Sequence, residues 1–533
     1  MSARAARTRV RLFIGAIGSL SALVLLPASL ASRTDETRAG QAPNTTRVSV
    51  DSAGAQANGR SDGRTAISRD GRFVAFGSSA ANLVPGDTNA RGDVFVRDRQ
   101  SGTTTRVSVD GSGAQANGQS WRPAMSADGR LVAFASTASN LVAGDTNGAA
   151  DIFVHDRLTG ATTRVSVASG GAQGSGESNE PSLSADGRLV AFVSFSSNLV
   201  PGDTNRWEDV FVHDRATRTT RRVSVDSEGA QGNSFSIEPS ISGNGHFIAF
   251  RSDASNLVPG DTNGGHDVFI RDLRSQSTTR VSISSDGAQT SCGRVYESPC
   301  SWDPSLSADG RLVAFTSGAP NLVARDTNED DDVFVRDRIG GTTTRVSVSS
   351  GGAQGNSFSD GPAISAEGRF VAFTSDASNL AAGDASRGDD IFVHDLATGS
   401  TAPASVSSAG EWANGESLWA SSSGGGRAVA FVSHASNLVA GDTNGFMDVF
   451  VRDTDPPAPS TGSCRVPKVV GLRLATARKR IRRAHCSVGR VRRVRSTRRN
   501  RVLAQFPRAG TRGPRGTRVR LVVGRRATKP GRG

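Results

Sequence analysis

The chain has 533 residues, with 63 Lys and Arg against 50 Asp and Glu, 61 Gly and one Tyr, a length that accommodates several domains. The net charge of +13 is unevenly spread. Residues 464–533 carry 24 basic residues and no acid, while residues 32–463 hold 35 basic residues against all 50 acids, a net −15. The only lysines are Lys468, Lys479 and Lys529, so no lysine nucleophile, Schiff base or phosphate-loop lysine exists before residue 468. No His-Glu dipeptide occurs either, which excludes the helical zinc-protease motif.

At the N-terminus four arginines precede the apolar run 12–26, followed by Pro27 and the small-residue site Ser29-Leu30-Ala31. This predicts an export signal over 1–31. Fifteen apolar residues fall short of the roughly 20 a membrane span needs, so no span is expected after cleavage; retention of the signal as an anchor is the alternative. A short segment, 32–43, follows.

One unit then repeats seven times. Phe76, Phe134, Phe192, Phe250, Phe315, Phe373 and Phe431 are spaced by 58 residues, except for one interval of 65. An Asp tracks each Phe: Asp87, Asp145, Asp203, Asp261, Asp326, Asp384 and Asp442, all but Asp384 opening Asp-Thr-Asn. Within the third copy, short Val-, Ile- and Phe-rich runs bounded by Gly, Asp and Ser predict strands at 181–184, 189–194, 209–213 and 220–225, with a turn at 185–187. Four strands, seven times, predict an all-β fold: a seven-bladed β-propeller over 44–453. A fourth-strand sequence also stands at 45–50, ahead of any first strand, and the last copy lacks one of its own. The N-terminal strand is therefore expected to complete the seventh blade and remove its exposed edge.

The run Ser184-Ala-Asp-Gly-Arg-Leu-Val-Ala-Phe192, followed by Asp209-Val-Phe-Val-His-Asp214, resembles the propeller repeats of the TolB/WD40-like (PD40-type) family. The resemblance covers about 410 residues and implies architecture; such propellers host scaffolds, binders and enzymes alike.

The long connections join strands two to three and four to the next blade. Trp121, Trp207, Phe235, Trp302, Phe358, Trp412 and Trp419 are assigned to them, either as a ligand-binding face or as cover for the core. The Asp-Thr-Asn-x-x-x-Asp pattern places oxygens at Asp87, Asn89 and Asp93, at Asp145, Asn147 and Asp151, at Asp203, Asn205 and Asp209, and at Asp261, Asn263 and Asp267. Calcium favours such clusters, but Asp and Asn also build self-bonded turns without metal. Turn chemistry is the expectation, with no required cofactor, and calcium the alternative. The nucleophile-elbow pattern Gly59-Arg-Ser-Asp-Gly63 is read as a repeat loop, because its equivalents lack the final Gly. His155, His213 and His394 share one repeat slot with Arg97, Arg271, Arg336 and Arg452, and are read as solvated strand ends. No catalytic set stands out. Export suits disulfides: Cys292 with Cys300 inside the seven-residue insertion, and Cys464 with Cys486.

A Pro-rich linker spans 454–463. Beyond it, Leu474, Ala477, Ile481 and Ala484 recur at helical spacing, and strand patterns follow at 487–494, 502–506 and 517–523. Val466-Pro-Lys-Val-Val-Gly471, Ala475-x-Ala477, Gln505-x-Pro507-x-x-Gly510-Thr511 and residues 516–523 resemble a PASTA domain over 464–525, leaving a basic tail at 526–533. Members of that family are associated with peptidoglycan and its stem peptides, which implies a wall partner here. This copy is single and has no acid, so anionic wall polymers are an equal expectation. Export argues against nucleic acid as the partner, despite the charge.

The combined expectation is a monomeric, secreted, wall-associated, non-catalytic protein whose propeller binds an unidentified protein or small ligand. The alternatives are an envelope scaffold without wall binding, and an enzyme on glycan or peptide. A His or carboxylate breaking sevenfold symmetry inside the central channel would favour the enzyme.

Overall fold

The computed structural model describes residues 43–291, 300–384, 388–454, 464–484, 486–496, 500–506, 508–509, 512–513 and 518–525. The export signal, Cys292, the core of the linker and the tail 526–533 lie outside them. All described residues belong to the unit Ala42–Gly533.

Seven four-stranded antiparallel sheets follow one another. Blade three, typical of the set, is Ser178–Leu183, Leu189–Ser194, Asp209–Asp214 and Thr219–Arg222. The seventh sheet takes its outer strand from the N-terminus: Asn44–Arg47 pairs with Asp448–Asp453, Asn44 opposite Asp453. Blade one then packs on blade seven through Val74 and Phe76 against Ala430, Val449 and Val451.

The core lies between blades. Each sheet turns a Phe face to one neighbour and an Ala/Val face to the other, giving seven apolar clusters, one per interface. The two Phe of each blade, such as Phe192 and Phe211, sit 5.9–6.0 Å apart between ring centres. Burying each such ring stabilises by about 2–3 kcal/mol.

The Ser-x-Asp-Gly turn connects strands one and two. Asp128 accepts from Ser126 Oγ at 2.7 Å and from the Arg130 N–H at 3.0 Å, while Gly129 takes φ +72°. These turns also bond to each other around the ring. Backbone N–H donors of Arg69, Ala127, Ala185, Asn244, Ala308, Glu367 and Gly424 reach carbonyls of Ala127, Ala185, Gly243, Ala308, Ala366, Gly424 and Arg69, all at 2.9–3.0 Å. The last donor returns to the first turn, so the hydrogen bonds form a closed circle. The turns crowd one another: a Cβ on Gly243 would stand 2.8 Å from the Ala308 Cβ. This end of the channel is narrow, and the long connections surround the other.

First strands begin earlier than their sequence suggested, at Ser178 rather than residue 181. The third residue of each takes positive φ and shifts the register, as at Glu180 with φ 55°. That bulge hides the period-two pattern.

The C-terminal domain has the helix Leu474–Arg483 and a sheet ordered Ser487–Arg495, Arg518–Arg525, Val502–Phe506, parallel then antiparallel. Val466, Val469, Leu474, Ala477, Ile481, Val502, Val519 and Leu521 form its core. Gln505 clamps the segment that enters the domain, donating to Pro467 O and accepting from the Val469 N–H. No described helix is long and apolar enough to cross a membrane.

Candidate functional site in the central channel

The Asp-Thr-Asn loops are occupied by arginine. Arg106 pairs with Asp87 and Asp93 at 3.2 and 3.4 Å, Arg164 with Asp145 and Asp151, Arg222 with Asp203 and Asp209, and Arg280 with Asp261 and Asp267. The amides of Asn89, Asn147, Asn205 and Asn263 donate to Asp93, Asp151, Asp209 and Asp267 at 3.0–3.2 Å. Asn89 Oδ1 accepts the Arg91 N–H, the self-bonded turn expected of Asn. A guanidinium therefore already supplies the positive charge that an ion would bring. Among the described residues no group of three or more His, Cys, Asp or Glu is arranged for a metal.

Two sequence assignments change. The shared His/Arg slot is not solvated: His155, His213, His394, Arg271 and Arg452 are buried. The three histidines bond through Nδ1 to Thr162, Thr220 and Thr401, and burial holds them below the usual imidazole value. Arginine in that slot donates to the carbonyl of a neighbouring connection, as Arg271 does to Asp226 O at 2.7 Å. Either side chain satisfies buried oxygens, which explains why they interchange.

The aromatics do not form one loop-borne face. Trp121, Trp302 and Trp419 lie on first strands, and Trp412 is partly buried and packs on Phe392 at the edge of the core. Phe358 and Phe235 immediately precede first strands, and Trp207 is half exposed beside Phe235, their rings 6.5 Å apart. Ser61 of the elbow pattern opens the first strand Ser61–Ile67 rather than lying in a repeat loop, and it is fully buried against Ser78. No described cysteine is free, and Cys300 and Cys486 are both buried. The side chains of Cys292 and Cys464 lie outside the described set, so their pairings stay proposals.

Sevenfold symmetry fails on the first strands. The positive-φ position carries Gly63, Arg122, Glu180, Glu238, Asp303, Gly361 and Trp419 in turn. Each charged member engages its neighbour: Arg122 pairs with Glu180, Glu180 Oε2 accepts the Glu238 N–H at 2.7 Å, and Glu238 Oε2 accepts the Asp303 N–H at 2.8 Å. Arg251 closes on Glu238 at 2.9 Å. Blade one contributes Arg64, an extra residue that no other first strand has. Its guanidinium pairs with Asp303 of blade five and thus crosses the channel.

Asp331, Asp360 and Asp389, on blades five and six, form no ion pair among the described residues. Asp360 is pushed up to about 7 by burial and by the charges of Asp303, Asp389 and Asp331. Asp331 and Asp389 are pushed up to about 6 by burial and by adjacent acids. Glu238 rises to about 7 through burial, with Asp303 adding to it. Gly318 leaves room for one of them, since a Cβ there would meet Asp331 Oδ1 at 2.6 Å. Single-repeat reading passed over these residues. For Glu238, Asp303 and Asp360 the signal was present in the aligned copies: between a constant Ser and a mostly constant Pro, two positions vary among Gly, Arg, Glu, Asp, Asn, Ile, Leu and Trp.

The family model that matches is the PASTA domain, over residues 465–525. No curated protein matches the chain. Among solved structures, the chain is similar to TolB from Acinetobacter baumannii at 16% identity and TM-score 0.33, covering 58% of each chain. Oligogalacturonate lyase from Vibrio parahaemolyticus is similar at 10% and 0.45, over 78% of this chain and 98% of that one. Pyrococcus horikoshii acylaminoacyl peptidase is similar at 12% and 0.43, over 70% of this chain and 49% of that one. The chain thus spans little more than half the length of the TolB it matches. It carries seven propeller sheets and a C-terminal PASTA domain.

Proposed function

We propose that this is an exported, non-catalytic bacterial envelope protein, its propeller a binding platform and its PASTA domain a tether to peptidoglycan or an anionic wall polymer. The observation that carries the tether is the PASTA match on a domain whose basic side chains face outward. Lys468, Arg473, Arg478, Lys479, Arg480, Arg492, Arg493 and Arg501 are all exposed. An acid-free surface of that density attracts polyanions over about a Debye length, ~8–10 Å at physiological salt. One module has no avidity, so charge supplements the fold's own specificity.

The test is sedimentation of the full-length protein with purified cell wall across a salt series. A chain lacking 464–533, and a carrier fused to an unrelated peptide of equal charge, run beside it. Retention above the carrier at high salt supports specific wall recognition. Retention that vanishes with the carrier leaves an electrostatic anchor, and none at low salt overturns the tether.

A second reading, an enzyme on glycan or peptide, is favoured by Glu238 and Asp360, two channel carboxyls raised to about 7, within the range of a general acid or base. Turnover of glycan or peptide substrates that Glu238→Gln or Asp360→Asn abolishes would establish it.

A further inference from the structure

The channel carboxylates are not a uniform acidic patch. On the side of blades two to four, Arg122 and Arg251 form ion pairs with Glu180 and Glu238. On the side of blades five and six, Asp360 lies in the field of Asp303, Asp389 and Asp331, opposed by Arg64; Asp331, Asp360 and Asp389 form no ion pair among the described residues, and burial disfavours the charged form of each. Unpaired, mutually repelling carboxylates destabilise a fold that could place Asn at those positions.

Two independent observations indicate what the space accepts. The first is Arg64. The repeat needs no residue there, and six blades have none, yet blade one inserts one and sends a guanidinium across the channel to Asp303, within the field of Glu238 and Glu180. The second is Thr316, fully buried with an unpartnered Oγ1. Its slot on the second strand faces the positive-φ residue of the first: in blade four Arg251 occupies it and reaches Glu238, and in blade six Thr374 Oγ1 lies 3.6 Å from a Cβ built on Gly361. In blade five the positive-φ residue is Asp303, and the slot that faces this position in blades four and six is held there by a buried hydroxyl with no hydrogen-bond partner among the described residues. Trp419, on the neighbouring first strand of blade seven, adds an exposed aromatic face, a surface on which a guanidinium stacks.

We infer that the open end of the channel is a receptor for a guanidinium or ammonium group presented by a basic peptide segment, with Arg64 as the internal stand-in that such a group displaces. This rests on the reading of the propeller as a binding platform and names the partner's chemistry. Asp360, Asp331 and Asp389 supply the charge that an incoming cation neutralises, and Asp303 exchanges Arg64 for it.

The experiment is calorimetric titration of the full-length protein with a capped tetra-arginine peptide. The same peptide with citrulline for arginine, and spermine, serve as controls for charge and for a peptide source. Combined Asp331→Asn, Asp360→Asn and Asp389→Asn should weaken arginine-peptide binding by roughly tenfold or more, the scale of losing charge-assisted hydrogen bonds. Glu228→Gln, Glu329→Gln and Glu411→Gln, an exposed triple of equal charge change, should shift it by less than about twofold. Arg64→Gln should tighten binding, whereas Arg274→Gln, on an exposed turn, should not. Melting curves identify any variant that fails to fold, and Asp360→Asn alone then replaces the triple. Equal binding of the citrulline peptide, equal weakening by the exposed triple, weaker binding by Arg64→Gln, or spermine binding as tightly as the peptide would each overturn the proposal. Wall sedimentation involves the other domain, so loss of peptide binding with wall retention intact separates this inference from the tether.

Discussion

Gly129 turns the chain at φ +72°, and a Cβ on it would sit 2.3 Å from Phe73 Cδ2 of the preceding blade. Gly144 has the same φ with nothing within 4 Å. Gly144→Ala should therefore cost only the backbone strain, about 1–2 kcal/mol, and Gly129→Ala should add overpacking of about 1–3 kcal/mol. Chemical denaturation of both variants isolates the steric part. At Arg106 the issue is charge. Arg106→Ala leaves Asp93, fully buried, and Asp87 without their cation, which should cost about 3–5 kcal/mol. With the guanidinium in place, neither calcium nor a chelator should move the wild-type melting temperature. A calcium-dependent rise in the wild type would show that the loop takes an ion beside the arginine.

The strand Asn44–Arg47 and the residues after it tie the two ends of the propeller together. Val48 is buried in the cluster shared by blades one and seven and donates its N–H to Val449 O at 2.7 Å, while Arg47 pairs with Asp442 and Asp448. A chain beginning at residue 52 loses about 1.5–3 kcal/mol from Val48 alone and exposes the edge of Asp448–Asp453. It should melt at a lower temperature and self-associate, and a synthetic peptide of residues 44–51 should reverse both. The first strands show how element boundaries escape the sequence. Glu180 and its equivalents combine positive φ with a register shift, so their polar and aromatic side chains resembled loop. Trp121, Trp302 and Trp419 were misplaced for that reason. The second and third strands, buried on both faces, were legible from their Val, Ala and Phe runs.

The whole molecule carries two opposed sets of carboxylates. Asp98, Asp156, Asp214 and Asp337 are held well below the usual range by bidentate Arg72, Arg130, Arg188 and Arg311. Their contribution is present above the unfolded value near 4 and is lost as pH falls below it. Glu238 and Asp360, raised to about 7, and Asp331 and Asp389, raised to about 6, have the opposite sign. The folded protein binds their protons more tightly than the unfolded chain does, so their contribution is full below about 4 and is lost as pH rises through 6–7. The melting temperature should peak near pH 5 and decline on both sides. In the Asp331, Asp360 and Asp389 triple variant the decline toward pH 8 should be shallower and the melting temperature at pH 7.5 higher. A triple variant less stable than wild type at pH 7.5 would mean that these carboxylates are compensated after all.

Repetition made the architecture readable from the chain alone. Seven recurrences of one Phe and one Asp, the displaced fourth strand at 45–50 and the helical stripe at 474–484 each repeat or break a period of known meaning, and burial follows from that period. The channel was decided only by tertiary structure. Arg64 and Asp303 are 239 residues apart and meet because a ring of blades turns both first strands inward. The pairs Arg122–Glu180 and Arg251–Glu238 likewise exist only once that ring is formed. Charge and burial at such a site depend on what faces it across open space, and no local spacing encodes that.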